Sequence, residues 1–574
     1  MTVVLERKQA PNRSEIQVAL RAFKLLHGEG RDIAVIFLYA LAVGLCTLAI
    51  PVGVQAIVNS VAFGVILQPL IVVTSLVGGV LLFAGTMRVL QLTVVELLQR
   101  RLIVRLSLSL AARIPHVEYE QFQNKYGPEY VLRFLEAFSA QKTVSALLVD
   151  GIALFFQVTV GLILVSFYHP FFLGFAILLT LAGVIVMLPL GVGAISAANR
   201  TSDAKYDIVT WLQDLARVPL VYKSNRGDAF AMEHADDLVQ NYLHWRSRYF
   251  RVLLRQVIGG VGLQVVASTL LLGLGGWLVI KQQLTLGQLV AAELVVGVVL
   301  TGISKFGRYV DKFYELCASV AKLDGIFDVP IEKQTGSFFT PSTSAAHVRI
   351  ANVSIRHEME SSPILSNVSL TIEPGEKAAI WGANGSGKSY LANCIYRISS
   401  PISGRVEIDG HDVREVHPLE LRSEIALVRR IDLFHGTIEE NLTLHKDGIS
   451  PRRLRDALSL VGVLEDVYSL PNGVQTELKG HAHPLSRGQA ARLVIARAIL
   501  MEPRLMILDG ILDGIDESTI DSLLGELTGE HAPWSLLVLT HESHILEHFP
   551  KAYRIKNGSL EAAPSQILSS HKQL

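Results

Sequence analysis

Apolar positions are unevenly spread along the 574-residue chain. Runs of about twenty residues, enough to cross a hydrocarbon core at 1.5 Å per residue, recur in the first three hundred residues. They fall at roughly 33–57, 68–90, 146–167, 171–195, 257–280 and 284–303, and predict six membrane-spanning helices. From Phe171 to Asn199 there is no formal charge at all. The connections differ in charge. Segment 96–145 carries Arg100, Arg101, Arg105, Arg113 and Lys142, and segment 199–256 carries Arg200, Lys205, Arg217, Lys223 and Arg226. The opposite connections are short and hold no charge, or Lys281 alone. An excess of Lys and Arg marks cytoplasmic loops, so both long segments and both termini are expected in the cytoplasm. Residues 1–30 lack the continuous apolar stretch of a cleaved signal. Ile16, Ala19, Leu20, Phe23 and Leu26 recur at helical spacing, which predicts an amphipathic helix at the membrane surface or against the first span. Glu293, inside the sixth span, is read either as a functional acid or as a residue of helix packing or of a water-filled cavity; Asp150 reads as interfacial.

Beyond Thr301 the pattern turns polar, and Tyr309–Val320 continues as a helix. The expected organisation is an N-terminal segment (1–30), an all-α six-helix transmembrane domain (31–325), a linker (326–346) and an α/β nucleotide-binding domain (347–574). Composition sharpens this picture. Half the residues are hydrophobic, 18% are charged and mean hydropathy is +0.38, which excludes an ordinary soluble enzyme. Lys+Arg and Asp+Glu number 52 each, which excludes bulk attraction to nucleic acid. Cys46, Cys317 and Cys394 lie far apart, which excludes a disulfide scaffold or zinc ribbon. Cys394 reads as a small buried hydrophobe.

The C-terminal part carries the chemistry. Gly382, Ala383, Asn384, Gly385, Ser386, Gly387, Lys388 and Ser389 follow the strand-like 378–381 and precede a helical stretch. This is a phosphate loop, whose backbone N–H groups close around phosphates and whose helix N-terminus adds partial positive charge. Lys388 can reach the β- and γ-phosphates of ATP, and the Ser389 hydroxyl can hold Mg²⁺. Leu505–Asp509 supplies the second half of such a site, an apolar strand ending in an acid, Asp509, that supports the metal.

At Leu485-Ser486-Arg487-Gly488-Gln489, followed by Ala496-Arg497-Ala498, the sequence resembles the ABC transporters, in the exporter arrangement that fuses a six-helix membrane half to a nucleotide-binding domain. The resemblance runs from about residue 30 to 570. It implies that Ser486, Arg487, Gly488 and Gln489 form the signature, offered to a γ-phosphate on a second copy of the domain. It further implies that His541 is the switch histidine, that His357 stacks on adenine, and that Leu433–Ile438 follows the glutamine loop. Within the long segments, 117–122 with 126–129, and 208–214, look like coupling regions. Three departures stand out. Gly510 replaces the glutamate that polarises water, a role worth about 10²–10⁴-fold. Arg429 stands where the metal-ligating glutamine is expected, and Arg487 replaces a signature glycine. Asp516 matches the D-loop aspartate, and Asp513 is a further candidate base.

The resemblance implies export coupled to ATP binding and hydrolysis, with membrane lipid and a second half-transporter as partners. Its own site is expected to be slow because of Gly510. Either it completes a partner's site in a heterodimer, or it forms a homodimer with an altered base. The segment Ile50–Asn59 resembles type I secretion exporters, which implies a bacterial inner membrane and a periplasmic adaptor; about thirty residues precede the first span, too few for a peptidase domain. The substrate is not legible. The alternative is a nucleotide-sensing regulator or channel without turnover.

Overall fold

The computed structural model describes residues 28–62, 67–119, 131–187, 189–338, 344–356 and 362–563. The surface helix expected at 14–27, much of the first coupling region and His357 lie outside these residues. The chain divides into two units, Met1–Ile331 and Glu332–Leu574.

The first unit is helical. Its main helices are α1 (Gly30–Thr47), α2 (Ala49–Ala62), α3 (Leu67–Arg113), α4 (Glu136–Ala146), α5 (Ile152–Ser166), α6 (Pro170–Met187), α7 (Ala194–Arg217), α8 (Gly227–Ile280) and α9 (Leu286–Phe327). Among the described residues six helical stretches are long and apolar enough to span a bilayer, and each overlaps one of the six runs seen in the sequence. The first is broken at Leu48, whose N–H turns to the Leu45 carbonyl at 3.2 Å. Pro51 is the cause, since it has no N–H to offer the preceding turn and its ring crowds the carbonyl four residues back. Between α4 and α5 the chain makes a π-helical turn, Leu147–Gly151. The displaced carbonyls are taken up from α3: Arg88 donates to Val149 O at 3.0 Å and Gln91 to Leu148 O at 3.1 Å. Arg88 also pairs with Asp150, which braces the same turn.

The two charged connections are largely helical, not loops. Helices α3, α8 and α9 have 47, 54 and 42 residues, or about 70, 80 and 63 Å at 1.5 Å per residue. Each overshoots a hydrocarbon core of about 30 Å. Their polar ends stay folded because they retain an apolar stripe. Val95, Leu98, Leu102, Leu106 and Leu110 are buried at helical spacing with Val144, Leu316, Val320 and Leu323. A buried carboxylate joins three helices: Glu136 of α4 accepts from Tyr206 of α7 at 2.9 Å and Ser319 of α9 at 2.6 Å, and pairs with Lys205.

The second unit contains β1 (Val348–Ile355), β2 (Leu365–Ile372), β3 (Lys377–Trp381), β4 (Ser403–Ile408), β5 (His411–Asp412), β6 (Ile425–Val428), β7 (Gly436–Thr437), β8 (Glu477–Leu478), β9 (Leu505–Asp509), β10 (Ser535–Thr540), β11 (Lys551–Lys556) and β12 (Ser559–Ala562). A six-stranded sheet has the order β12-β11-β3-β10-β9-β6, parallel except for β12. A four-stranded sheet of order β2-β1-β4-β5 is antiparallel. Strands β9 and β10 are buried at every position, as parallel strands covered on both faces require. Three flanking helices matter for the site: α10 (Lys388–Ile395), α11 (Arg487–Leu500) and α12 (Glu517–Thr528). Cys394 is fully buried in the core, as expected.

Candidate functional site

The carboxyl ends of four parallel strands converge. The register sets Leu539 of β10 beside Ile380 of β3 and Asp509 of β9, and Val428 of β6 beside Leu508. Residues just past these ends therefore share one rim, the place where open α/β sheets bind ligands. Trp381 leads into the 382–389 loop, Val428 into Arg429, Asp509 into Gly510 and Thr540 into His541. Gly382 N–H donates to Thr540 O at 3.2 Å, which ties loop to sheet.

The loop has the form of an anion cradle. Gly387 caps α10 with φ +101°, a conformation open to glycine, and a Cβ there would meet Leu365 at 2.8 Å. Lys388 curls over the loop and donates to the carbonyls of Gly382 at 2.6 Å and Ala383 at 3.0 Å. Burial pulls its ammonium below the usual lysine range, while Asp513 and Asp509 oppose that shift. The Ser386 hydroxyl is buried with no hydrogen-bond partner among the described residues. A buried donor of this kind inside a glycine-rich loop fits a phosphate oxygen.

Ser389 and Asp509 meet as their spacing predicted, the Ser389 hydroxyl donating to Asp509 Oδ1 at 3.1 Å. They are the residues that would hold Mg²⁺. The carboxylate is shared, however. Arg429 Nε lies 2.5 Å from Asp509 Oδ2, and its Nη2 donates to Ser389 O at 3.0 Å and Asn393 Oδ1 at 2.7 Å. Asn393 was missed in the sequence. The available signal was its place one helical turn after Ser389 on α10, on the same face.

His541 also has an acidic companion. Its Nδ1 is 2.6 Å from Asp513 Oδ2, and Thr540 Oγ1 donates to Asp513 Oδ1 at 2.6 Å. Gly510 has φ +66°, and a Cβ on it would stand 3.4 Å from Asp513 Oδ2. Asp513 thus approaches the point from which a side chain at 510 would start. Asp516 accepts from Thr519 N–H at 3.0 Å and caps α12; this bond and that from Ser518 hold its carboxyl below the usual range.

In the signature, Ser486 caps α11 through a reciprocal box with Gln489, its hydroxyl accepting from Gln489 N–H at 3.2 Å and its N–H donating to Gln489 Oε1 at 2.8 Å. Arg487 is exposed, and a Cβ on Gly488 would meet nothing within 4 Å. This helix start is open to an incoming group. In the first unit Glu293 is exposed on α9, with Gly297, Thr301 and Lys305 following at four-residue spacing on the same face. The 208–214 segment forms the last turns of α7, and the chain reverses after it, at 218–226. There Leu220 is 79% and Val221 60% exposed.

A phosphate loop, a strand-end acid and a helix-start signature on this sheet order define a P-loop nucleotide-binding domain. Residues 365–512 match the ABC transporter family model. The chain is 32% identical over 292 residues to the leukotoxin translocation ATP-binding protein LktB of Mannheimia glucosida, covering 50% of this chain and 41% of that protein. It is 27% identical over 329 residues to the alpha-hemolysin translocation ATP-binding protein HlyB of Escherichia coli O157:H7, covering 57% and 46%. The matched stretches thus span less than half the length of these relatives. A solved structure of a bacterial Atm1-family ABC exporter with ATP bound shares the fold, with TM-score 0.82 over 93% of this chain and 95% of that one, at 19% identity. Residues 365–512 are thus an ABC transporter domain, and the chain has the fold of an ABC exporter, with a six-helix membrane-type unit and a nucleotide-binding unit in one chain.

Proposed function

We propose that this chain is the ATP-binding and permease subunit of an ABC exporter, with ATP held in the 382–389 loop. The observation that carries the reading is the cradle itself: Lys388 over the loop, the unpartnered Ser386 hydroxyl within it, and Asp509, His541 and Arg429 on the same rim. Ser389 and Asp509 are the residues for Mg²⁺, which supplies positive charge to the phosphates when bound. Ser486, Arg487, Gly488 and Gln489 serve the nucleotide of a second half-transporter, because a helix start with free donors suits a phosphate brought from outside. ATP between two such units draws them together, and its hydrolysis or release lets them part. The 208–214 segment, which leads into the exposed apolar turn beyond α7, is the coupling region of this reading.

Gly510 offers no group to take a proton from water, so turnover at this loop is slow, by about 10²-fold or more relative to a site with a positioned base. His541, oriented by Asp513, is the remaining group at the reacting end. The charge asymmetry of the connections supports a cytoplasmic nucleotide-binding unit, and the relatives' names, which speak of toxin translocation, support export; a bacterial inner membrane and a periplasmic adaptor belong to the same reading. The cargo is unassigned. Gly510 also favours a second reading, a nucleotide-sensing regulator or channel without turnover. The test is ATPase activity of the full-length protein in liposomes, alone and with a second ABC half. The exporter reading expects turnover in at least one case, lowered when Ser486 is changed to Ala and the second half is present. Nucleotide binding with no turnover in either case supports the regulator.

A further inference from the structure

We propose that Arg429 is a resident cation of the phosphate site, performing part of the charge neutralisation that a divalent ion performs at other phosphate loops, so that this chain binds ATP with little dependence on Mg²⁺. The inference rests on ATP being the ligand of the 382–389 loop.

The position follows from the sheet. Parallel pairing of β6 with β9 sets Val428 beside Leu508, so the next residues, Arg429 and Asp509, emerge together at the rim. The guanidinium then engages both residues that would hold the metal, Asp509 through its carboxylate and Ser389 through its carbonyl, and Asn393 Oδ1 fixes its plane. Asp509 is 5% exposed, and a carboxylate so buried needs a counter-charge. Arg429 supplies one that is permanent, because guanidinium does not deprotonate in proteins. It offers no lone pair, so it competes with a divalent ion for Asp509 instead of joining its ligands.

The same group has capacity left. Among the described residues Nη1 of Arg429 makes no hydrogen bond, and its two N–H groups stay available at the edge of the loop. A planar guanidinium beside a phosphate cradle is suited to two-point binding of phosphate oxygens. Glutamine, neutral and able to lend an oxygen to a metal, would do neither.

The test is titration of the full-length protein in nanodiscs with a fluorescent, non-hydrolysable ATP analogue, in Mg²⁺ and in excess EDTA, for the wild type and for Arg429→Gln. The wild type is expected to keep its affinity within about threefold on removal of Mg²⁺. Arg429→Gln is expected to lose at least about tenfold in EDTA, the scale of one hydrogen bond to a charged group. A second measurement uses Mn²⁺ as the probe, its electron paramagnetic resonance reporting metal held in the protein–nucleotide complex. Mn²⁺ retention is expected to rise by about the same factor in Arg429→Gln. Wild-type binding that depends on Mg²⁺ as strongly as that of the variant overturns the inference and leaves the ATP reading standing. Absence of binding in both conditions overturns the ATP reading as well.

Discussion

Gly510 and Asp513 are best understood as a pair. Asp513 Oδ2 stands 3.4 Å from the place a Cβ at 510 would take, and it also holds His541. A glutamate installed at 510 would adopt a left-handed backbone costing about 1–2 kcal/mol and would begin beside an existing carboxylate. Gly510→Glu alone is therefore expected to raise turnover by less than about tenfold, whereas Gly510→Glu with Asp513→Ser gains on the order of 10²-fold. Equal turnover in the two variants, measured on the full-length protein in liposomes, would contradict the pairing. Lys388 gives a simpler test. Its ammonium has no substitute in the loop, so Lys388→Ala is expected to weaken nucleotide affinity by at least about tenfold in the same titration. The residue types of this site were legible in the sequence because their spacing is fixed by the strand–loop–helix turn. The contacts of Arg429 with Asp509 and of Asp513 with His541 were not, since they join strand ends distant in sequence and depend on sheet order.

Two elements of the nucleotide-binding unit carry checkable energetics. Strand β3 begins with Lys377, a buried ammonium that donates to Ala532 O at 3.2 Å and also to Trp534 O. Burial pushes its pKa down to about 8 from the ordinary 10.5. Between those values the unfolded chain binds a proton that the folded one lacks, so this lysine makes stability rise with pH from about 8 to 10.5. Lys377→Met is expected to flatten that rise in thermal unfolding followed across the same range; an unchanged profile would refute the assignment. Helix α11 begins at the Ser486–Gln489 box. Ser486→Ala is expected to cost about 1 kcal/mol of unfolding stability, with nucleotide affinity of this chain's own loop unchanged. In the membrane unit, periodicity predicted the spans and missed the helical character of the charged connections. There the apolar stripe thins to one face and charged residues interrupt it, as in the Glu96–Arg100 pair of α3. The π-helical turn at Leu147–Gly151 had no local signal, because its support comes from Arg88 and Gln91 on another helix.

The whole molecule couples a greasy half to a phosphate-binding half through one continuous chain. The division near residue 331 lies close to where the polar, turn-rich stretch begins in the sequence. Fold class was legible because each half has its own signature, six charge-poor runs in one and strand–loop–helix spacing in the other. Substrate was not, because the spans are apolar nearly throughout and a bilayer demands the same of any cargo's carrier. The central claim is that nucleotide in the 382–389 loop draws two nucleotide-binding units together. The direct measurement is the distance between spin labels at exposed Glu561 on each unit of the homodimer, or at Glu561 and an equivalent strand position of the second half, in liposomes. A non-hydrolysable ATP analogue is predicted to shift the distribution to shorter separations, and Lys388→Ala to prevent the shift. Distributions unchanged by nucleotide, with binding shown in the same sample, would contradict the account.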